Sequence, residues 1–158
     1  MLSGRAYQLT LPRKRMAAGA LFLDDAQGIL IVKPTYRDRW LIPGGVVEEG
    51  ESPAAACARE VREELGLDVC LGRLLCLEYQ SPTEDRTESL QFVFYCGVLA
   101  ADQIAAIVVA GDELSEYVFA QQEEAVLKLV PRLATRVCLA LSALERGVTI
   151  YAENGVEV

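Results

Sequence analysis

Residues 45–67 read GVVEEGESPAAACAREVREELGL, and they contain one complete helix with its start and stop signals. Ser52 is a preferred N-cap residue, Pro53 suits the first helical position, and Gly66 is typical of the position after a helix end. We therefore predict a helix from Pro53 to Leu65. Its apolar positions recur at helical spacing and predict the face that packs on a sheet, namely Ala54, Ala58, Val61 and Leu65.

The same helix carries an acidic face formed by Glu60, Glu63 and Glu64. Like charges at these spacings repel each other, and acids near a helix C-terminus oppose the macrodipole, so stability does not explain them. With three more acids at positions 48, 49 and 51, residues 48–64 hold six acids and two arginines, which is half of the net charge of −8. A solvated acidic face is the ordinary alternative. Converging carboxylates with few basic partners instead favour a hard divalent cation such as Mg²⁺.

Composition narrows the chemistry further. The chain has 158 residues, 15 Lys and Arg, 23 Asp and Glu, and no His, so it is expected to be one domain without imidazole catalysis. The remaining candidates for a base are carboxylates, Lys, Tyr and Cys. An acidic balance disfavours nucleic acid and membrane surfaces as partners.

The cysteines and the apolar runs indicate a compartment. The five cysteines show no CxxC spacing and lie mostly in apolar runs, so we expect buried free thiols. No run approaches the roughly 20 apolar residues of a membrane span. Both observations favour a reducing cytoplasm.

The segments around the helix predict alternating strands and helices. Residues 1–15 form a basic lead-in of charge +4, with a loosely attached strand favoured over a phosphate-facing arm. A hairpin turns at residues 24–28, and an extended piece at 40–42 ends in a loop at Pro43-Gly44-Gly45. Strands are predicted around 69–79, 89–100 and 116–119, and helices from Glu123 and from Pro131 to Gly147. Residues 147–158 form a tail that either pairs as an edge strand in a homodimer or packs on its own core.

The spacing Gly45-x5-Glu51-x7-Arg59-Glu60-Val61-x-Glu63-Glu64-x-Gly66-Leu67 resembles the box of the Nudix hydrolase family, G-x5-E-x7-R-E-U-x-E-E-x-G-U, where U is a bulky aliphatic residue. Every specified position matches, and the chance of this in such a chain is on the order of 10⁻⁷ or less. The resemblance implies an α/β class and an α/β/α sandwich with a mixed central sheet over about residues 16–146.

The resemblance also implies site roles. Glu60, Glu63 and Glu64 are expected to bind Mg²⁺, with Mn²⁺ as an alternative metal and the Gly45 carbonyl as a further ligand. The resemblance implies that one of them, Glu63 or Glu64, orients or deprotonates the attacking water. The remaining implied residues are the Glu51 and Arg59 pair, which ties the loop to the helix, and Gly44 and Gly45, which let substrate approach the backbone.

Candidates outside the box are less specific. A further loop acid completes the site in many Nudix relatives, and Glu113 and Glu116 are the candidates, with a solvated loop acid as the alternative. Tyr36, Arg37, Arg39 and Trp40 precede the glycine loop and are candidates for contacting a base and a phosphate. Core packing for Trp40 and solvation for the arginines are the alternatives. Arg86 is a weaker phosphate candidate.

The function implied is Mg²⁺-dependent cleavage of the phosphoanhydride of a nucleoside diphosphate linked to another moiety, such as a nucleotide, ADP-ribose or a nucleotide-sugar. The alternative is a catalytically silent Nudix-like domain that senses nucleotides or acts as a scaffold. A Nudix-fold isomerase of isoprenoid diphosphates is disfavoured, because the Cys and Glu that such a proton shuttle needs are not matched.

Overall fold

The computed structural model describes residues 4–158. The helices are α1 Gly4–Gln8, α2 Pro53–Leu65, α3 Ala101–Ala105, α4 Gln122–Lys128 and α5 Pro131–Arg146. The strands are β1 Arg15–Leu23, β2 Ile29–Pro34, β3 Gly44–Val46, β4 Leu74–Gln80, β5 Ser89–Val98, β6 Leu114–Ala120, β7 Ile150–Glu153 and β8 Val156–Glu157.

One mixed sheet carries two helical layers. The strand order is β6-β2-β1-β5-β4-β7-β8, and β3 pairs with β1 beside this path. Strand β1 runs antiparallel to β2 and parallel to β5, and β4 runs parallel to β7. Alternate residues of β1 face opposite layers: Phe22 packs in the core beneath α2, and Leu21 packs in the core beneath α5. The α/β/α sandwich with a mixed central sheet is therefore confirmed.

Most predicted elements are present where local signals are strong. Asp24 Oδ1 accepts hydrogen bonds from the N–H groups of Ala26 and Gly28 and closes the predicted β1–β2 turn. Helix α2 begins after Ser52, whose side chain accepts from the Ala55 N–H, and ends at Gly66 in the left-handed conformation with φ of 68°. Helix α5 likewise begins at Pro131 and ends at Gly147.

The glycine loop differs from the prediction, because β3 continues where a loop was expected. Gly44 pairs with Gly19 and Gly45 pairs with Ala18 on β1. A Cβ on Gly44 would lie 2.2 Å from the Ala18 carbonyl oxygen, so this close pairing requires glycine. Residues 40 and 41 make only isolated bridges, and the strand predicted from residue 69 begins at Leu74.

The buried face of α2 also differs from the prediction. The buried residues are Ala56, Cys57, Val61, Glu64 and Leu65, whereas Ala54 and Ala58 are half-buried. The helix is turned so that Glu64 points inward, where it accepts a hydrogen bond from the backbone of Gly44. The apolar pattern alone missed this rotation because it gave no weight to an inward-facing carboxylate.

The ends of the chain join the fold in different ways. The lead-in contains the exposed helix α1 rather than a strand, and its first three residues lie outside the described residues. In the tail, β7 lies inside the sheet against β4 of its own chain, and β8 forms the edge. All five cysteines are free; Cys57 and Cys76 are buried, but Cys70 is exposed, contrary to expectation. No helix within residues 4–158 has the length and apolar character needed to span a membrane.

The Ser52 cap gives a test of the fold. Replacing Ser52 with Ala removes the acceptor 3.1 Å from the Ala55 N–H and should lower the free energy of unfolding by about 0.5–2 kcal/mol, measured by urea denaturation. Ser142→Ala in the interior of α5 is the control and should cost nothing, because alanine is the better helix former there. Equal effects of the two substitutions would contradict the capping role.

Candidate active site

Arg59 joins helix α2 to the glycine loop. Its Nε donates to Glu51 Oε1 at 2.9 Å, and its Nη2 donates to Glu51 Oε2 at 3.1 Å and to the Val46 carbonyl at 3.1 Å. This paired contact between a guanidinium and a carboxylate fixes both groups in one plane. Arg59 holds the pKa of the Glu51 carboxyl below its usual range. The geometry matches the loop-to-helix tie that the family resemblance implies for these two residues.

The same guanidinium also contacts the acidic face of α2. Its Nη1 lies 2.8 Å from Glu60 Oε1 and 3.0 Å from Glu63 Oε2. Glu60 is mostly buried, with 16% of its side chain exposed, whereas 57% of the Glu63 side chain is exposed. The contact with Glu51 raises the pKa of Arg59, and the contacts with Glu60 and Glu63 add to this effect. One cation thus holds three carboxylates of the box together.

Glu64 is buried and has no cationic partner among residues 4–158. Its Oε2 accepts a hydrogen bond from the Gly44 N–H at 2.9 Å. The pKa of Glu64 is raised to about 8, mainly because the carboxyl is buried; the Gly44 hydrogen bond lowers it, and the charges of Glu60, Glu113 and Glu63 add to the increase. The protein alone therefore does not stabilise a negative charge on Glu64, and a bound cation would favour its ionised form.

Gly45 lies directly against Glu60. A Cβ on Gly45 would be 2.3 Å from Glu60 Oε1 and 2.4 Å from Glu60 Cδ. The absent side chain leaves room for the carboxylate beside the strand. Glycine at this position thus has a steric reason, in addition to its place in the box.

The donor set fits a hard divalent cation. Glu60, Glu63 and Glu64 have carboxylate oxygens, which are the ligands that Mg²⁺ prefers, and the backbone of Gly45 lies against Glu60. Within the described part of the chain, no three acidic or cysteine side chains already converge as a metal cluster. Arg59 instead lies between Glu60 and Glu63, so a cation that binds both carboxylates competes with the Nη1 contacts.

The two loop acids occupy different places. Glu113 lies in the turn before β6, and its charge is one of those that raise the pKa of Glu64. Glu116 is exposed on β6, where it pairs in register with Lys33 of β2. Glu113 is therefore the loop acid that the structure brings towards the box.

A cleft of about 200 Å³ adjoins the glycine loop on the α5 side of the sheet. Gly44 and Gly45 form part of its lining, and so do five arginines. Of the predicted substrate residues before the loop, Arg37 lines the cleft, whereas Tyr36, Arg39 and Trp40 do not. Arg86, the weaker phosphate candidate, also lines it.

The three residues that do not line the cleft have other contacts. Arg39 Nη1 donates to the Leu127 carbonyl at 2.7 Å. Trp40 packs against the core on the α5 side, with Lys128 Nζ 5.3 Å from its ring centroid. Tyr36 is exposed, and the guanidinium of Arg37 lies 5.1 Å from its ring centroid. Trp40 therefore packs in the core, as the alternative to substrate contact predicted.

Three cleft or support residues were not found from the sequence: Glu78, Arg132 and Arg136. Arg15 also lines the cleft, and it belongs to the basic lead-in for which a phosphate-facing arm was the alternative. The three missed residues come from β4 and α5, which are far apart in the chain. No local motif connects them, and only the strand order brings them together. The one sequence feature that could have indicated these residues is Glu78, a charged residue within the otherwise largely apolar strand β4.

Most of the chain matches a known protein family. The NUDIX domain model matches residues 13–138. This chain belongs to the Nudix family. Among curated Nudix relatives, diphosphoinositol polyphosphate phosphohydrolase 2 of Rattus norvegicus is 38% identical over 84 residues, covering 52% of this chain and 47% of the relative. The human diphosphoinositol polyphosphate phosphohydrolase 3-alpha is 42% identical over 64 residues, covering 39% of each chain. The match thus spans less than half the length of these relatives.

Solved Nudix-type structures confirm the fold. A MutT protein from Methanosarcina mazei has a TM-score of 0.68 at 20% identity, covering 87% of this chain and 99% of the other. An ADP-ribose pyrophosphatase from Streptococcus suis has a TM-score of 0.68 at 20% identity, covering 89% and 99%. A UDP-X diphosphatase has a TM-score of 0.71 at 21% identity, covering 90% and 68%.

The contact between Gly45 and Glu60 predicts the effect of a single methyl group. Gly45→Ala should displace the Glu60 carboxylate, which is the flexible end of a side chain, without unfolding the protein. We expect Mn²⁺ binding, followed by electron paramagnetic resonance of free Mn²⁺, to weaken about tenfold or more. Gly4→Ala, where a Cβ has open space, is the control. Unchanged Mn²⁺ affinity in Gly45→Ala would contradict the placement of Glu60 in the cation site.

The raised pKa of Glu64 predicts the pH dependence of the metal-free protein. A carboxyl with a pKa near 8 in the folded state binds more protons there than in the unfolded chain, so its contribution to stability falls as the pH rises from about 4.5 towards 8. In EDTA, the wild type should lose more unfolding free energy than Glu64→Gln between about pH 5.5 and about pH 8.5. Parallel pH profiles for the two proteins would show that Glu64 titrates normally.

Proposed function

We propose that this Nudix domain is a divalent-metal-dependent pyrophosphohydrolase that cleaves the phosphoanhydride of a small diphosphate compound. The observation that carries the proposal is the arrangement of Glu51, Glu60 and Glu63 around Arg59, with Glu64 bonded to the adjacent glycine loop. Such a set of oxygen donors beside a cationic cleft suits a reaction in which charge develops on phosphate oxygens.

The metal would be held by Glu60, Glu63 and Glu64, with Mg²⁺ proposed and Mn²⁺ as the alternative. When bound, it supplies charge neutralisation on non-bridging oxygens and lowers the pKa of water. The protein residues have separate tasks. Arg59 keeps Glu51 on the loop, and the Gly44 N–H holds one oxygen of Glu64. Glu63, Glu64 or the loop acid Glu113 accepts the proton of the attacking water, whose oxygen bonds to phosphorus as the bridging P–O bond breaks.

Three observations guide the choice of substrate. The family resemblance favours a nucleoside diphosphate derivative. The names of the curated relatives add diphosphoinositol polyphosphates, and one structural neighbour is named an ADP-ribose pyrophosphatase. A panel of dNTPs, ADP-ribose, ADP-sugars, dinucleoside polyphosphates and a diphosphoinositol polyphosphate, each with Mg²⁺ and with Mn²⁺, covers these classes.

The proposal extends to partners and location. A small-molecule substrate, rather than nucleic acid or a membrane, accords with the net charge of −8. The five free thiols support a cytoplasmic location. A homodimer would use an unpaired sheet edge, and β8 is the edge that the tail supplies.

Conservative substitutions in the box test catalysis. Glu63→Gln and Glu64→Gln keep the side-chain shape but remove a charge, and each should lower kcat by about a hundredfold or more in the substrate assay, with the melting temperature nearly unchanged for Glu63→Gln. Glu49→Gln is the matched control, because its carboxylate is almost fully exposed and lies in the same acidic segment. It should retain full activity.

The alternative, a silent nucleotide-sensing or scaffold domain, makes the opposite prediction. Such a domain would bind ADP-ribose or a nucleotide with Mg²⁺ and release no product over hours, and both glutamine variants would behave as the wild type does. That pattern across the whole panel would overturn the proposed hydrolysis.

A further inference from the structure

The cleft beside the glycine loop concentrates positive charge in an acidic protein. Five of its lining side chains are arginines, and none of the described residues that line it is acidic. The chain as a whole has a net charge of −8. The cleft arginines come from β1, from two loops and from α5: Arg15, Arg37, Arg86, Arg132 and Arg136.

Most of these arginines are not neutralised by carboxylates of the protein. Within residues 4–158, four of the five arginines have no carboxylate within ion-pair distance. Arg15 Nη2 donates to the Thr87 carbonyl at 3.4 Å, and Arg37 lies over the ring of Tyr36. Asp85 is the acid that borders the outer rim, near Arg86. The cleft therefore keeps a cationic field available to a ligand.

Arg136 is the buried member of the set. Its Nε donates to Glu78 Oε2, and only 9% of the Arg136 side chain and 1% of the Glu78 side chain are exposed. No buried side-chain nitrogen or oxygen in the described chain lacks a partner. Among residues 4–158, the terminal Nη groups of Arg136 have no hydrogen-bond acceptor. Because they are not buried without a partner, we infer that they face the open volume of the cleft that Arg136 lines. A buried ion pair is weak evidence for stability, whereas it fixes a guanidinium in one orientation.

The lining suits phosphate better than a nucleobase. Arginine forks match phosphate oxygens in pairs. The amides of Gln80 and Gln91 also line the cleft, but their nitrogens donate to Glu78 and Ser89. Phe92 is the aromatic residue of the lining, but its side chain packs with the core on the opposite, α2 side of the sheet. Tyr36 and Trp40 lie outside the lining. The described cleft thus offers several hydrogen-bond donors for phosphate oxygens and no aromatic face on which a base could stack.

The position of the cleft connects it to the carboxylates. Gly44 and Gly45 line the cleft, and they also contact Glu64 and Glu60 of the box. The first turn of the 16-residue helix α5 lines the cleft as well, through Val130, Arg132 and Leu133, and a helix N-terminus favours anions. A molecule whose diphosphate lies at the glycine loop would extend its remaining part among the arginines.

We propose that the arginine cleft is a subsite for additional phosphate groups, so that the substrate carries at least two phosphates beyond the anhydride that is cleaved, and that Glu78 is the positioning residue for Arg136. This inference rests on the proposed function, because it names the substrate class of the same site. It also assigns the choice of substrate to phosphate number rather than to a base.

The first test measures binding without catalysis. Calorimetric titration of the metal-free protein with inorganic tripolyphosphate in EDTA should show binding that weakens with salt. Arg132→Gln and Arg86→Gln should each weaken it about fivefold or more, and the double variant more strongly. Arg13→Gln, which removes the same charge from an exposed residue outside the cleft, is the control and should bind as the wild type does.

Two outcomes would overturn the inference. In one, the cleft variants and Arg13→Gln have equal affinity for tripolyphosphate. In the other, uncharged adenosine displaces tripolyphosphate and is itself unaffected by the arginine variants, which would place a nucleoside in the cleft. Glu63→Gln separates this inference from the proposed function, because it should retain tripolyphosphate binding even though hydrolysis is lost. Binding without any hydrolysis by the wild type would reject the proposed function and leave the subsite intact.

The second test concerns Glu78. If Glu78 acts by orienting Arg136, then Glu78→Gln and Arg136→Gln should each weaken tripolyphosphate binding, and the double variant should bind no worse than Arg136→Gln alone. The paired amides in the double variant also avoid leaving one buried charge without a partner. Additive losses, or a Glu78→Gln variant with wild-type affinity, would reject the positioning role. Melting temperatures measured on all three variants report any unfolding.

Discussion

The contacts of Arg59 are the interaction on which the site depends. This residue is held to Glu51 and the Val46 carbonyl on the loop, and to Glu60 and Glu63 on the same helix. Without it, several carboxylates would repel one another across the loop and the helix. The guanidinium therefore acts as an internal cation, and it sets the distance between β3 and α2. The bond from Gly44 to Glu64 fixes the same two elements at a second point.

This arrangement separates charge across one short strand. Carboxylates lie where β3 meets α2, and arginines lie in the cleft on the α5 side. Gly44 and Gly45 contact both regions, since neither has a side chain to keep them apart. A protein with a net charge of −8 can thus present a local cationic surface to a phosphorylated ligand. The net charge describes the surface as a whole, whereas a ligand in the cleft interacts with the positive charge of the arginines there.

The sequence predicted the features that depend on local chemistry. The cap at Ser52, the end at Gly66, the turn at Asp24 and the family box are all encoded within a few residues. The prediction was weaker where tertiary contacts determine the result. The pairing of Gly44 with Gly19 made a strand from an expected loop, and the inward rotation of Glu64 changed the buried face of α2. The arginine cleft forms only through the strand order, so no short stretch of sequence shows that Arg136 and Arg15 line the same cleft.

A structure with bound Mn²⁺ would show whether the carboxylates of α2 bind the cation. Anomalous diffraction from crystals grown with Mn²⁺ should place the ion among Glu60, Glu63 and Glu64, with Arg59 Nη1 moved away from Glu60 and Glu63 and its pairing with Glu51 retained. An ion bound elsewhere, with the contacts of 2.8 Å and 3.0 Å from Arg59 Nη1 unchanged, would contradict a cation site on α2, because Glu60 and Glu63 would then only form ion pairs with Arg59.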